Sequence, residues 1–459
     1  MGETVVFSRS EAVPIVRKVS RPAVRDRRKM VPVRAYFDHA ATSPMTDEVL
    51  AAYTAELTRI GNPSSLHAEG QASRMRMEAA RATLAAAVGA STPSEVVFTS
   101  GGTEADNLAL KGIWWARNES AAGSLPRPRL LVSEIEHHAV LETAEWLETR
   151  GAELVWLPVD AEGVLDLAAF ERALLTDPER TALVSVMYAN NEIGTLQPIA
   201  EVVSLAHAHG VPVHTDAVQA LGQVPLDFAG LGVDAMTLSA HKIGGPVGVG
   251  ALVLARDLAP VPVLHGGGQE RKVRSGTLDV AGATAFAEAA RLATERLPEA
   301  AARLGDLRDR LIAGIEAAVP DAVLSGPRGD RRLPGNVHFT FPGAEGDSML
   351  FLLDVAGFAT STGSACQAGV SRPSHVLMAC GRDEDTARST QRFTLGYGTT
   401  EEEIDALVAA LPDVVARARR AGMVSATPAW MSDTPEMPTA SASTAPPSTA
   451  HPTREVPRS

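Results

Sequence analysis

The chain alternates short apolar runs with longer amphipathic stretches, and this alternation constrains its fold more than any other feature. Each run has the length of a buried strand, and several of the stretches between them carry apolar residues at helical spacing. Strands and helices in alternation predict an α/β domain around a mostly parallel sheet. We predict strands at residues 95–99, 129–133, 154–157, 182–187, 211–215, 235–238 and 250–254. Helices are predicted at residues 73–88, 107–116, 140–150 and 199–208.

The last third of the sequence has a different pattern. It contains one long helical stretch, a strand and a final helix, at residues 281–317, 336–341 and 401–421. This pattern indicates a second, smaller α+β domain. We place the boundary inside the long helix, so that a large domain spans residues 31–290 and a small domain spans residues 291–424. Residues 31–50 are a candidate for packing on the small domain.

Both ends of the chain lack this patterning. Residues 1–30 mix charged residues with Pro and Val, and we interpret them as a disordered or dispensable leader, with the true start at either Met1 or Met30. Residues 425–459 are dominated by Ser, Thr, Ala and Pro. Such a composition cannot bury enough apolar surface to offset the entropy of ordering, so we predict a disordered tail.

Composition excludes several classes of protein. The 459 residues carry a formal net charge of −13, which argues against a general nucleic-acid-binding surface. No apolar run approaches the length of a membrane span. Two cysteines in so long a chain form no disulfide framework and are typical of a reducing compartment, by default the cytoplasm.

Three predicted strand ends carry residues that chemistry would use. A Gly-rich turn at residues 100–104 opens a helix, where free backbone N–H groups suit a phosphate. Asp216 follows a second strand and Lys242 follows a third. Alone, these are ordinary turn, capping and surface residues. Together they are the set that pyridoxal phosphate requires: a lysine for its aldehyde, an acid for its ring nitrogen and a cradle for its phosphate.

With those residues assembled, the chain resembles the pyridoxal-phosphate-dependent cysteine desulfurases of the class V aminotransferase superfamily. The resemblance runs from about residue 36 to residue 411. Its motifs are YFDHAATSP (36–44), GNPSSLH (61–67), SGGTE (100–104), EHHAV (136–140), NNEIG (190–194), HGGGQER (265–271), RSGT (274–277), STGSACQAG (361–369) and RFTLG (392–396). It implies the pyridoxal-phosphate transferase fold, with a seven-stranded sheet in the large domain.

The resemblance also implies roles around the cofactor ring. Lys242 would form the Schiff base and then shuttle protons, and Asp216 would pair with the pyridinium nitrogen. His137 would stack on the ring and assist proton transfer. Gln219 would hydrogen-bond the phenolic oxygen, and Asn191 would lie near that oxygen and the substrate carboxylate.

The resemblance also implies residues that bind the cofactor phosphate and a residue that acts across a subunit interface. Gly102, Thr103, Ser239 and His241 would hold the phosphate. Thr277 would reach it from a neighbouring subunit, which implies a homodimer with composite sites.

The same resemblance makes Cys366 the acceptor of sulfur. Arg392 would hold the carboxylate of L-cysteine, and the Cys366 thiolate would attack the substrate sulfur to give L-alanine and a persulfide. A sulfur-acceptor protein, in iron–sulfur cluster assembly or tRNA thiolation, would then receive the sulfur. No permanent metal site is predicted, although Cys366 could transiently ligate an iron–sulfur cluster shared with an acceptor.

Alternatives remain open. One alternative is a selenocysteine lyase, which has the same fold and cofactor. A second is a class V aminotransferase, in which Cys366 would have no catalytic role. A third is a non-catalytic sulfur carrier that keeps the fold. The second cysteine, Cys380, is predicted to be a packed core residue.

Overall fold

The computed structural model describes residues 34–119, 124–363 and 373–425, with side chains described up to residue 421. The strands are β1 (Ala35–Tyr36), β2 (Val96–Thr99), β3 (Arg129–Ser133), β4 (Glu153–Leu157), β5 (Thr181–Ser185), β6 (Val213–Asp216), β7 (Ala235–Ser239), β8 (Gly250–Leu254), β9 (Val323–Leu324), β10 (Asn336–Thr340), β11 (Phe358–Ala359) and β12 (Thr390–Thr394). The helices are α1 (Asp47–Leu57), α2 (Ala68–Ala87), α3 (Gly102–Asn118), α4 (His138–Glu148), α5 (Leu167–Thr176), α6 (Ile199–His207), α7 (Phe228–Leu231), α8 (Val280–Glu295), α9 (Leu297–Ala318), α10 (Gly346–Val355), α11 (His375–Ala379), α12 (Glu384–Arg388) and α13 (Glu401–Ser425).

The seven predicted strands of the first domain form one sheet in the order β2-β8-β7-β6-β5-β3-β4. Strand β8 is antiparallel to both neighbours, and every other pairing in the sheet is parallel. The prediction of a mostly parallel seven-stranded sheet is therefore confirmed.

Both faces of this sheet are covered by helices. In β2, Val96 and Phe98 belong to one apolar cluster, whereas Val97 between them belongs to another. The first cluster includes residues of α2, α5, α6 and α8, and the second includes residues of α3 and α4. Burial on both faces explains why the strands read as continuous apolar runs.

The C-terminal part builds a separate core around a three-stranded antiparallel sheet in the order β12-β10-β9. Residues of α9, α10 and α13 pack on it. Strand β1, from the start of the described chain, pairs in parallel with β11.

The single long helix predicted at residues 281–317 is two helices in the structure. Helix α8 ends at Glu295, and α9 begins at Leu297 with Pro298 in its first turn. Proline has no N–H to donate into a preceding turn, so it suits the first turn of a new helix and interrupts an existing one. Helix α8 packs against α1 and α2, whereas α9 packs against α13. The limits of the two domains remain a prediction.

No helix of the described residues is long and apolar enough to cross a membrane.

Candidate active site

A cavity of about 320 Å³ lies at the carboxyl ends of the parallel strands, where ligands collect in sheets of this kind. Loops after β2, β3, β5, β6 and β7 reach it from the sheet, and β12 reaches it from the C-terminal part. It is lined by ten of the predicted site residues: Gly102, Thr103, His137, Asn191, Asp216, Gln219, Ser239, His241, Lys242 and Arg392. Residues far apart in the sequence thus converge on one space.

Lys242 projects into the cavity from the short 3₁₀ turn Ala240–Ile243 that follows β7. Its Nζ donates to the carbonyl oxygens of Ala40 at 2.6 Å and Ala41 at 3.1 Å. Burial, with the positive charge of Arg392, lowers the pKa of Lys242 to about 8. A substantial fraction of the amine is therefore neutral near pH 8, and only the neutral amine is nucleophilic.

Asp216 ends β6, and its Oδ1 accepts a hydrogen bond from the Val218 backbone N–H at 2.9 Å. Burial raises the pKa of this carboxyl to about 6. A buried carboxylate is costly unless a cation faces it. The acid therefore suits a ligand that presents a protonated ring nitrogen.

His137 caps the N-terminus of α4, because its Nδ1 accepts a hydrogen bond from the Ala139 N–H at 3.1 Å. Burial, reinforced by the charge of Lys242, lowers its pKa to about 4. The ring is neutral at pH 7, with its proton on Nε2. Gln219 lies on the other side of Lys242 and donates from Nε2 to the same Ala40 carbonyl, at 2.9 Å.

The N-terminus of α3 opens into the cavity at Gly102 and Thr103, and no side chain in the described part of the protein caps it. Uncapped N–H groups at a helix N-terminus bind anions, and Ser239 and His241 line the same cavity. Thr277 is exposed and does not line the cavity of its own chain. Its predicted contact with a neighbouring subunit stays a prediction.

Arg392 is held from two sides in the middle of β12. Its Nη1 donates to the Asn191 carbonyl oxygen and its Nη2 to Asp38 Oδ1, each at 2.9 Å, while its buried Nε has no hydrogen-bond partner among the described residues. These contacts fix the guanidinium plane at the cavity wall. A planar guanidinium is well suited to a carboxylate.

Cys366 lies outside the described residues, so its predicted role is not tested by the structure. The chain enters that segment at Gly363, which lines the cavity, and leaves it at Pro373 and Ser374. Ser374 Oγ donates to Glu192 Oε2 at 2.5 Å. A Cβ built on Gly363 would lie 3.6 Å from the same Oε2 atom. Glu192 therefore hydrogen-bonds Ser374 at one end of the segment and lies near Gly363 at the other.

Sequence reasoning missed four residues around the cavity. Asp106, Glu192 and His375 line it, and Asp38 pairs with Arg392. Only Asp106 had a local signal, because it lies one helical turn after Gly102 and therefore on the same face of α3. The other three are brought in by tertiary structure.

A larger cavity, of about 600 Å³, is also lined by Lys242. It is bordered mainly by the start of α1, the α8–α9 junction and residues 396–399, and it includes neither Asp216 nor Arg392. We therefore assign the chemistry to the smaller cavity.

Within the described residues, no cluster of three or more His, Cys, Asp or Glu side chains could hold a metal ion. Cys380 is buried, as predicted.

The aminotransferase class-V family matches residues 35–407 of the chain. The chain belongs to this family. Within it, the chain is similar to an IscS-like cysteine desulfurase of Mycobacterium tuberculosis, with 52% identity over 393 residues, covering 85% of this chain and 99% of that protein.

Solved structures show the same relationship. A NifS-like protein superposes with a TM-score of 0.76 at 36% identity, covering 84% of this chain and 100% of that one. A structure described as SspA in complex with cysteine superposes with a TM-score of 0.67 at 34% identity, covering 79% of this chain and 98% of that one. These similarities agree with the fold and the family predicted from the sequence.

Proposed function

We infer that the protein is a cysteine desulfurase that uses pyridoxal phosphate. The observation that carries the inference is the convergence of Lys242, Asp216 and Arg392 on one cavity, in a chain whose family relatives include proteins named cysteine desulfurases. The structure described as SspA in complex with cysteine supports L-cysteine as the substrate.

The residues of the cavity fit pyridoxal phosphate. Asp216 supplies a buried anion for the ring nitrogen, Lys242 an amine of lowered pKa for the aldehyde, and the uncapped N-terminus of α3 a site for the phosphate. When bound, the cofactor withdraws electrons from the substrate α-carbon. His137, Gln219 and the other predicted contacts would hold and orient the ring.

The protein's own residues then have distinct tasks. Arg392 binds the substrate carboxylate, and its contacts with Asp38 and Asn191 fix the orientation in which the substrate enters. Lys242 takes the proton from the α-carbon and holds it. Asp216 remains charged beneath the site, because its pKa of about 6 lies below neutral pH.

Sulfur transfer falls to Cys366. Its thiolate attacks the substrate sulfur, so that an S–S bond forms and the C–S bond breaks. The carbon takes the electron pair and a proton, which gives L-alanine and a Cys366 persulfide. Three residues of extended chain span about 11 Å at most, so the covalent link to Gly363 keeps this cysteine within reach of the cavity.

We propose that the protein works as a homodimer and passes its sulfur to an acceptor protein. Large apolar side chains are exposed at the end of α1 (Leu57), in the connection to α2 (Ile60 and Leu66) and on α2 itself (Met75). Such clustering is typical of a surface that another chain covers. The acceptor would serve iron–sulfur cluster assembly or tRNA thiolation, and Cys366 could transiently share a cluster with it.

The first test compares Cys366→Ala with the unmodified protein. The variant should keep the visible absorption of bound pyridoxal phosphate and lose L-alanine formation from L-cysteine by at least about a hundredfold, because the covalent acceptor is gone. A colourless wild-type protein, or sulfide release retained by the variant, would contradict the proposal. Parallel assays that measure L-alanine formation from L-selenocysteine test the alternative that the protein is a selenocysteine lyase.

A further inference from the structure

Glu104 places a negative charge in the first turn of α3, which begins at Gly102. Its Oε2 accepts a hydrogen bond from the Ser100 N–H at 2.6 Å, and its Oε1 accepts one from Arg274 Nε at 2.9 Å. The side chains of Arg274 and Glu104 are only 18% and 15% exposed. Burial alone would raise the pKa of Glu104, but the hydrogen bonds from Arg274 and Ser100 hold it below the ordinary value. Glu104 is therefore ionised at neutral pH.

Arg274 reaches Glu104 from a turn that is fixed to the large sheet. The Glu270 N–H donates to the Arg274 carbonyl oxygen at 2.9 Å, and the Arg274 N–H donates to the Glu270 carbonyl oxygen at 3.3 Å. The Glu270 carboxylate accepts from the Phe98 N–H in β2 at 3.2 Å. An arginine held on an anchored turn loses less conformational entropy when it pairs with a carboxylate than a free surface side chain does. The ion pair therefore has a fixed place beside α3.

Two separate features at the start of α3 point to a ligand with several acceptor oxygens. The first N–H groups of the helix open into the cavity at Gly102 and Thr103. Ser239 is 2% exposed and lines the same cavity, and its hydroxyl makes no hydrogen bond with another described residue. A Cβ built on Gly102 would lie 3.7 Å from the Ser239 Cβ, so the two features are adjacent. A buried hydroxyl normally has a partner, which a bound anion would supply.

A negative charge beside this site opposes a negatively charged ligand. A phosphate monoester carries a charge of about −1.5 to −2 near pH 7, and Glu104 directly follows Thr103 in the sequence. Neither Glu104 nor Arg274 lines the cavity. The Arg274 guanidinium offsets the Glu104 charge through their direct contact. Without Arg274, the carboxylate would repel a phosphate at the start of α3.

We propose that Arg274 determines the preference of this site for a phosphorylated ligand by neutralising Glu104, an inference that rests on the proposed use of pyridoxal phosphate. Arg274 is a positioning residue, because it acts through Glu104 and does not touch the ligand. Glu104 in turn binds the Ser100 N–H and fixes the turn that precedes α3. The ion pair thus allows an acid that orders the turn to stand beside a phosphate.

A comparison of pyridoxal phosphate with pyridoxal isolates the contribution of the phosphate. Both aldehydes react with Lys242, so the ratio of their dissociation constants reports the phosphate alone. The full-length protein is freed of cofactor, and visible absorption follows the binding of each ligand. We expect Arg274→Gln to bind pyridoxal phosphate about tenfold more weakly than wild type, and pyridoxal less than about twofold more weakly.

Removal of the acid together with the arginine tests the charge argument. In Glu104→Gln/Arg274→Gln, the amide can still accept from the Ser100 N–H, and neither charge of the pair remains. The ratio of dissociation constants should return to within about twofold of wild type. Arg310→Gln is the control with the same change in net charge, because Arg310 pairs with Asp405 at an exposed position, and its ratio should match wild type. A wild-type ratio in Arg274→Gln, or a double variant as impaired as the single one, would overturn the proposal.

An Arg274→Gln protein that binds neither aldehyde has lost its fold, and Glu104→Gln then decides. With the acid gone, the remaining Arg274 charge favours the phosphate, so this variant should keep or increase the wild-type preference for pyridoxal phosphate. A fall in that preference by more than about threefold would contradict the proposal.

The proposed function and this inference fail differently. If wild type binds pyridoxal as tightly as pyridoxal phosphate, the phosphate site of the proposed function is wrong, and this inference fails with it. A wild-type preference for pyridoxal phosphate that Arg274→Gln retains overturns this inference alone.

Discussion

At the scale of single residues, three buried acids in and beside the cavity differ in how their surroundings shift their pKa. Burial and the negative charge of Asp216 raise the pKa of Asp106 and of Glu136 well above the ordinary range. The pKa of Asp216 rises only to about 6, because the Val218 N–H and the charge of Lys242 favour its ionised form. Asp216 is therefore the charged member at neutral pH. Its charge is available to a bound cation.

Asp216→Asn should stabilise the cofactor-free protein while removing its activity. An acid whose pKa is raised from 3.8 to about 6 destabilises the fold once it ionises, so the penalty grows between those pH values and is constant above them. Two pKa units correspond to about 3 kcal/mol. Urea unfolding of the apoprotein at pH 8 should show a gain approaching that size, with little gain at pH 4.

Asp106→Asn is the matched control. Burial and the negative charge of Asp216 raise the pKa of its carboxyl well above the ordinary range, which favours the neutral acid, so the isosteric amide should change the free energy of unfolding by less than about 1 kcal/mol. L-Alanine formation should fall by roughly a hundredfold or more in Asp216→Asn, because the charge under the site is lost. A destabilised Asp216→Asn apoprotein would show that the ionised acid is satisfied without the cofactor.

At the scale of elements, one buried ion pair connects α2 to the turn that precedes Thr277. Arg81 Nη1 and Nη2 each lie 2.7 Å from a carboxylate oxygen of Glu270. Glu270 Oε2 also accepts from the Phe98 N–H in β2. Arg271 and Lys272 follow with positive φ angles of 51° and 64°. The pair therefore holds a tight turn against the first strand of the sheet.

Glu270→Gln should lower the free energy of unfolding by about 3–5 kcal/mol, because it removes the buried counter-ion of the buried Arg81, whose other acidic partner is exposed. Chemical denaturation measures this loss directly. Glu78→Gln is the control, because Glu78 contacts the same arginine from an exposed position. An exposed partner contributes at most about 1 kcal/mol. Equal effects of the two substitutions would refute the argument.

At the scale of the whole molecule, the start of the described chain belongs structurally to its C-terminal part. Strand β1 pairs with β11, and Phe37 is fully buried in the C-terminal core. Arg34 donates to Asp354 at 2.6 Å, and Asp38 pairs with Arg392. The segment therefore supports both the second core and the orientation of the substrate-binding arginine.

Two deletions separate the leader from this segment. Removal of residues 1–29 should leave thermal stability and L-alanine formation unchanged, because the sequence predicts a dispensable leader there and β1, the first described strand, begins at Ala35. Removal of residues 1–38 also deletes β1 and Phe37, and loss of a buried aromatic side chain alone costs about 3–5 kcal/mol. Thermal melting of both truncated proteins is the measurement. An insoluble or inactive 1–29 deletion would contradict the interpretation of those residues as dispensable.

The strands and the residues at their ends were predictable from the sequence because their signals are local. Strands buried on both faces read as apolar runs, Asp216 ends one of them, and Lys242 lies in the turn that follows another. The split of the predicted helix at Arg296 was missed because apolar residues recur at helical spacing on both sides of Pro298. At this junction the helical spacing of apolar residues continues, whereas the helical hydrogen bonding of the backbone is interrupted.

What the sequence alone determined is the α/β alternation, the two cores and the identity of the residues at the strand ends. Only the tertiary structure decided which nitrogen of the His137 ring carries the proton, how far burial shifts the pKa of each buried acid, and that Glu192 binds Ser374 near Gly363. The physical reason is distance along the chain. Apolar periodicity and turn chemistry act over a few residues, whereas a pKa or a tautomer depends on burial and on hydrogen-bond partners that folding brings from elsewhere in the chain.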